Sequence, residues 1–341
     1  MMVIRANNVN DAYAQAMSII YEDNPNVWRE ISPRGGLATK EFHEPVATVY
    51  ECPWRRVLFD LERDANPFFH FMESMWMLAG RQDAEWISQF SKNISNYAEE
   101  DGNFHGAYGY RWREYFGFDQ VDLAVNQLRM SPDSRRVVLA QWDATGDLGV
   151  DRRDIPCNTH VYFKIRDKNL HMTVCCRSND IVWGCYGANA VHFSFLQEFV
   201  AAGAGVGVGT YTHVSDSWHY YLDNPTIVSL FESGTMPRAN YWGAAMNIPV
   251  TNPIHNYGDW WSDLCRFMKV DDWRDCSMYE EAFFGQVAVP MRDAWANYKR
   301  GDLETAMTRA TDIRAADWRM ACVNWLQKRI NSRTETGVRN G

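Results

Sequence analysis

The chain is predicted to fold as an α/β protein of the α+β kind, with β-strands backed by helices and a helical C-terminal extension. Three observations predict it. Apolar residues at helical spacing mark buried helices at about 67–79 and 189–202; strict alternation marks a hairpin around 161–174; and from about residue 251 onward the texture is that of amphipathic helices. A content of 46% hydrophobic residues, with 15 Trp, supplies the large buried areas that such layers need.

The stretch PFFHFMESMWMLA opens at Pro67, places Phe68, Phe71, Met72, Met75 and Leu78 at helical spacing, and stops before Gly80. One carboxylate, Glu73, sits inside it. Farther on, Val161, Phe163 and Ile165 alternate with Tyr162, Lys164 and Arg166; RDKN makes a turn, and Leu170, Met172 and Val174 resume the alternation. The next helix carries Phe193, Leu196 and Val200 on one side and is expected to end at Gly203. Strand character returns in GAGVGVGTYTHVSDSWHYY. Near the C-terminus, Asp302 is expected to cap a helix with Ala306, Ala310 and Ile313 on one face. With no Ser-, Gly- or Pro-rich linker, the expected organisation is a main domain over 1–250 and a helical extension over 251–341 packed on it.

Composition excludes several functions. The 43 acidic residues outnumber the 34 basic ones, giving a net charge of −9, which argues against a surface that grips nucleic acid or anionic membrane as a whole. Any anion site must be local. No run approaches the roughly 20 apolar residues of a spanning helix, and MMVIRANNVNDAYAQ lacks the pattern of a secretion signal, so the cytoplasm is expected. The eight Cys form no CxxC pair and most are expected to be small core hydrophobes. Gly203, Gly205, Gly207 and Gly209 follow a helix at the wrong spacing for a dinucleotide loop, and the nine His show no HExxH pattern, so no metal is expected.

Candidate chemistry gathers in three places. Arg135 and Arg136 lead straight into the apolar strand VVLAQW, where adjacent guanidinium groups call for an anion or for solvent. Pro156-Cys157 stands at the mouth of the hairpin, and the returning strand delivers Arg177-Ser178-Asn179-Asp180. A thiol near guanidinium groups is expected to have a stabilised thiolate, which makes Cys157 a candidate nucleophile.

SRR before a strand, PC opening a hairpin and CRSND-x-x-x-G closing it resemble the thymidylate synthase and deoxypyrimidine monophosphate hydroxymethylase family. The resemblance runs from Arg34 in SPRGG through Glu73 and Trp76, AYGYRWR at 107–113, and on to Asn189, His219 and Tyr221, about residues 30 to 225 in family order. It implies the thymidylate synthase fold, with a mixed β-sheet backed by helices, and a reaction in which Cys157 adds to C6 of a pyrimidine nucleotide, making C5 a carbon nucleophile. It implies phosphate contacts from Arg34, Arg177 and Ser178, with Arg135 and Arg136 reaching over from the second subunit of a homodimer. Glu73 matches the carboxylate that organises water and proton transfer near C4 and C5. Asp180 matches the residue that contacts the folate pterin, and Gly184 lies in the same turn. His219 and Tyr221 match the pair that bonds the sugar 3′-hydroxyl. Asn189 matches the asparagine that reads the base, given one inserted residue in GCYGAN.

The departures bear on the product. Synthases carry PCH where Asn158 follows the cysteine here; Ile94 and Tyr97 stand where two tryptophans wall the folate site; and the short sealing C-terminus is not recognisable. These changes favour addition of water over hydride transfer. The expected activity is therefore folate-dependent C5 hydroxymethylation of a deoxypyrimidine monophosphate, with 5,10-methylenetetrahydrofolate as cosubstrate. An amide at Asn189 suits the O4 and N3–H edge of uracil, so dUMP is favoured, with dCMP as the alternative base. The rival readings are a synthase converting dUMP to dTMP and a non-catalytic nucleotide-binding homologue. Retention of both Cys157 and Glu73 speaks against the last.

Overall fold

The computed structural model describes residues 1–32, 36–237, 257–269, 271 and 273–339. Its elements relevant to the site are strands β1 (Met2–Ala6), β2 (Trp28–Ile31), β3 (Thr39–Phe42), β4 (Val46–Tyr50), β5 (Val137–Ala140), β6 (Asn158–Arg166), β7 (Asn169–Asp180) and β8 (Gly207–Tyr221). The helices are α1 (Val9–Glu22), α2 (Pro67–Leu78), α3 (Gln120–Met130) and α4 (Asn189–Ala204), followed by α5 (Tyr257–Phe267), α6 (Val289–Arg300), α7 (Leu303–Thr311) and α8 (Ala316–Arg339).

The strands join in one sheet in the order β1-β4-β8-β7-β6-β5, with the β2–β3 pair attached to the far end of β8. β1 with β4 and β7 with β8 are parallel, and the other pairs are antiparallel, so the sheet is mixed as predicted. The β6–β7 turn is made by Asp167 (φ 49) and Lys168 (φ 60), two left-handed residues whose twist suits a two-residue hairpin. Helix α2 starts as its sequence implies, with Pro67 in the first turn and the Asn66 side chain accepting from the Phe69 N–H.

Helix α4 runs past its expected end. It closes on Gly205, in the left-handed region at φ 73, and Gly203 lies inside it. Gly203 serves packing instead: a Cβ there would come 2.8 Å from the Tyr257 ring and 2.9 Å from Val125, so its absence lets α5 and α3 close on α4.

The C-terminal helices share the core with α2. Phe68 packs against Trp295 at 5.6 Å and Trp325 at 5.7 Å, and Phe71 meets Trp318 at 5.3 Å. The Asp302 cap is present, accepting from the Thr305 N–H at 3.0 Å, and Ala306, Ala310 and Ile313 are buried. The boundary expected between residues 250 and 251 lies outside the described residues. All eight cysteines are free, but only Cys176, Cys185 and Cys322 are buried, fewer than expected, because Cys265 and Cys276 sit on outward surfaces of the C-terminal layer. Among the described residues no helix is long and apolar enough to cross a membrane.

Candidate active site

The ends of three adjacent strands converge. The Arg177 backbone N–H donates to the Cys157 carbonyl at 2.8 Å, tying the start of β6 to β7. The parallel register of β7 and β8 then sets Ser178 beside Ser217 and Asp180 beside His219, with Tyr221 two residues on and its ring edge-on to His219 at 5.7 Å. Cys157, Arg177, Ser178, Asp180, His219 and Tyr221 are thus brought to one corner of the sheet. Burial, followed by the charges of Asp180, Tyr97 and Cys157, raises the Tyr221 hydroxyl above its ordinary value.

The thiol differs from its expected state. Burial pushes Cys157 above the usual cysteine value; Arg177 opposes this and Asp154 adds to it. The guanidinium is engaged elsewhere, since Nε donates to the Pro156 carbonyl and Nη2 to the Ile155 carbonyl, both at 3.0 Å. Arg177 therefore braces the loop that presents the thiol, and its influence on the thiolate is smaller than the cost of burying it.

The segment after Asp180, Ile181–Ala188, is π-helical with a kink at Gly187, and it delivers Asn189 to the first position of α4. Asp180 caps this turn, accepting from the N–H groups of Val182 at 3.2 Å and Trp183 at 2.9 Å. At its end, Asn189 enters a buried relay of amides. His213, held near pKa 3 by burial, is neutral, so its two ring nitrogens play opposite roles. Nδ1 accepts from the Tyr211 hydroxyl and Nε2 donates to Asn158 Oδ1, both at 2.9 Å. Asn158 Nδ2 then donates to Asn189 Oδ1 at 3.1 Å, Asn189 Nδ2 to Asn179 Oδ1 at 3.1 Å, and Asn179 Nδ2 to Ser215 Oγ at 2.8 Å. Gly184 lies close behind the relay: a Cβ there would come 3.0 Å from Asn179 Oδ1, so that amide would have to shift.

Sequence reasoning missed Asn179, His213 and Ser215 as site residues. The signal was present: Tyr211, His213 and Ser215 alternate onto the buried face of β8, and buried polar side chains demand partners. It also missed His192, whose Nε2 lies 2.8 Å from Oε2 of Glu73 and joins α4 to α2.

Other predicted residues fall at varying distances. Ile94 is partly buried against the core, whereas Tyr97 is exposed on the same short helix, Lys92–Tyr97. Arg135 and Arg136 are exposed ahead of β5. Val137 pairs with Phe163, six residues along β6 from Cys157, so at about 3.3 Å per residue the backbone of these arginines lies roughly 20 Å along the sheet from that of Cys157 in their own chain. Solvent, not a buried anion, satisfies them within one subunit. Arg34 lies outside the described residues.

The thymidylate synthase family model matches residues 65–240, which include this whole constellation except the extreme N-terminal part. The chain belongs to the thymidylate synthase family. Among its relatives, the deoxyuridylate hydroxymethyltransferase of Pseudomonas phage M6 is 38% identical over 340 residues, covering 96% of this chain and 95% of that one, so the similarity runs into the helical extension. The deoxyuridylate hydroxymethyltransferase of Bacillus phage SP01 is 36% identical over 205 residues; the match spans 57% of this chain and about half, 53%, of that relative. A putative thymidylate synthase of Methanothermobacter thermautotrophicus is 32% identical over 226 residues, 65% of this chain and 94% of that one. Members of the thymidylate synthase family bind dUMP and use methylenetetrahydrofolate. The residues around Asp180 fit a flat folate ring with N–H donors: a half-buried carboxylate acceptor next to the exposed Trp183 ring in the turn that it caps.

Proposed function

We propose that the protein is a deoxyuridylate hydroxymethyltransferase, converting dUMP to its 5-hydroxymethyl derivative with 5,10-methylenetetrahydrofolate as cosubstrate. One observation carries the reading: the candidate nucleophile Cys157 is followed directly by Asn158, whose amide donates to Asn189 Oδ1 at 3.1 Å, so nucleophile and base reader share one hydrogen-bonded frame. The frame holds a carboxamide, not a carboxylate, at the base position, which suits uracil over cytosine.

In this reading Cys157 attacks C6, and Arg177 and Ser178, with Arg34, hold the 5′-phosphate. His219 and Tyr221 bond the sugar hydroxyl. Asp180, with Gly184 in its turn, Trp183 and Tyr97, seats the folate, which when bound supplies the carbon at the formaldehyde level. Glu73 handles the proton traffic near C4 and C5. Arg135 and Arg136 serve the phosphate of a partner subunit, which their distance from their own Cys157 supports. The enzyme acts as a homodimer in the cytoplasm, with residues 1–250 as the catalytic region and 251–341 as an extension packed on it.

Hydration in place of hydride transfer is supported by Ile94, which turns into the core, and by Tyr97, which leaves its ring in solvent; neither forms a closed aromatic wall. The second reading, a synthase making dTMP, draws support from the archaeal relative matched over 94% of its length. Mass spectrometry of the products from dUMP and dCMP in oxygen-18 water separates them. A hydroxymethyl product heavier by one labelled oxygen supports the proposal; dTMP with stoichiometric dihydrofolate overturns it.

A further inference from the structure

His192 has no role in the resemblance that led to the other site residues, yet its position is specific. It lies three residues after Asn189 on α4, one turn deeper on the same helical face. Asn189 is bonded to the residue that follows Cys157, so His192 stands behind the base-reading position. Across from it, α2 offers Glu73. Nε2 of His192 and Oε2 of Glu73 are 2.8 Å apart, and among the described residues neither atom has another hydrogen-bond partner, although both are buried. The Glu73 side chain nevertheless keeps 14% of its surface open, while that of His192 keeps 3%. One carboxylate oxygen is thus committed to the imidazole, and the open surface of the group belongs to the rest of it.

We propose that His192 is the positioning residue of the hydration step, holding one oxygen of Glu73 so that the other accepts a proton from the attacking water. The inference rests on the hydroxymethyltransferase reading. In the step itself, the water oxygen forms a bond to the exocyclic methylene carbon on C5, one O–H bond breaks, and that proton passes to Glu73. The electron pair of the exocyclic double bond moves into the C4 carbonyl as an enolate. Its return restores the C5–C6 double bond and breaks the C6–S bond, releasing the Cys157 thiolate, which regains a proton. No oxidant or reductant is consumed. A freely rotating carboxylate would offer its oxygens in many directions; one pinned by His192 offers its acceptor in a single one, which is the advantage of orientation in a water-limited site.

The test separates methylene transfer from hydration. Tritium release from 5-tritiated dUMP reports transfer, because the C5 proton leaves when the methylene arrives. Formation of 5-hydroxymethyl-dUMP reports hydration, and added 2-mercaptoethanol traps the unhydrated methylene as a thioether. For His192→Leu, hydroxymethyl product should fall about a hundredfold, the usual worth of a proton acceptor, while tritium release, to which Glu73 also contributes near C5, falls by no more than about tenfold. The trapped thioether should rise to match. His192→Gln, which keeps an N–H donor, should recover part of the hydration and lower the trapped fraction. Equal loss of tritium release and product in both variants, with no trapped adduct, overturns the proposal, because a merely structural residue behaves so. Unchanged product in His192→Leu also overturns it. If the unmodified enzyme forms no hydroxymethyl product from dUMP or dCMP, the functional reading fails first and the inference falls with it.

Discussion

Replacing Asn189 by Asp changes one atom group at the centre of the amide relay. The carboxylate loses the N–H that donates to Asn179 Oδ1 at 3.1 Å and would face that oxygen with another acceptor. The structure contains its own repair. Asn179 donates to Ser215 Oγ at 2.8 Å, and a hydroxyl both donates and accepts, so Asn179 can turn its amide over, donate to the new carboxylate and accept from Ser215. The fold should therefore lose only about 1 kcal/mol, roughly 2 °C in melting temperature for a chain of this size. Base recognition should change far more. A carboxylate cannot donate to O4 of uracil, but accepts from the cytosine amino group. The loss for dUMP should be about 1.5–3 kcal/mol, the worth of a hydrogen bond to a charged or uncompensated partner, or about tenfold to beyond a hundredfold. Steady-state kcat/KM for dUMP and dCMP, with methylenetetrahydrofolate, measures the switch. Adding Ser215→Ala removes the repair and should cost a further 1–3 kcal/mol or so of stability. An Asn189→Asp enzyme that keeps the parental preference for dUMP would refute the base-reading role. A double variant as stable as the single one would refute the relay.

Cys157→Ser should abolish turnover while leaving nucleotide binding largely intact, since only one atom changes; activity within about tenfold of the parent would exclude Cys157 as nucleophile. Mixing inactive Cys157→Ser with inactive Arg135→Ala subunits should restore activity through one intact hybrid site, and verified heterodimers without recovery would count against a shared phosphate site. His213 is held neutral in the fold, with a pKa lowered to about 3, so its contribution to stability is present above the unfolded histidine value near 6.5 and is lost as pH falls toward 3. Between pH 6.5 and 5 this single group should cost on the order of 2 kcal/mol, and urea unfolding of His213→Gln should show a correspondingly shallower acid dependence than the parent. Trp318→Ala removes a buried ring from Phe71 and should destabilise the whole chain by about 3–5 kcal/mol in a single transition. A separate, earlier transition of the C-terminal helices would show instead that the extension folds apart from α2.

Much of this protein was legible from sequence because the governing forces are local. Alternation from Val161 to Val174 dictates a hairpin, since side chains in a strand point to opposite faces in turn; the spacing of Phe68, Phe71, Met72 and Met75 dictates a buried helix. The order of Cys157, Arg177, Asp180 and His219 along the chain was enough to name a family. Other features depended on groups far apart in sequence. Gly203 was read as a helix end because glycine commonly stops helices, whereas contacts with Tyr257 and Val125 make it a packing residue. The sequence places Asn189 at the head of a helix, but only the fold shows its amide bonded to both Asn158 and Asn179. The thiol of Cys157 was expected to be acidified by nearby arginine; tertiary burial, summed over all its neighbours, decides the opposite. Asn158, Asn179, Asn189 and His213 come from four separate segments, and Glu73 finds His192 only because α2 and α4 lie side by side. Periodicity acts within a few residues and is written in the chain. Desolvation and hydrogen-bond direction are properties of the assembled interior, and only the packed structure determines them.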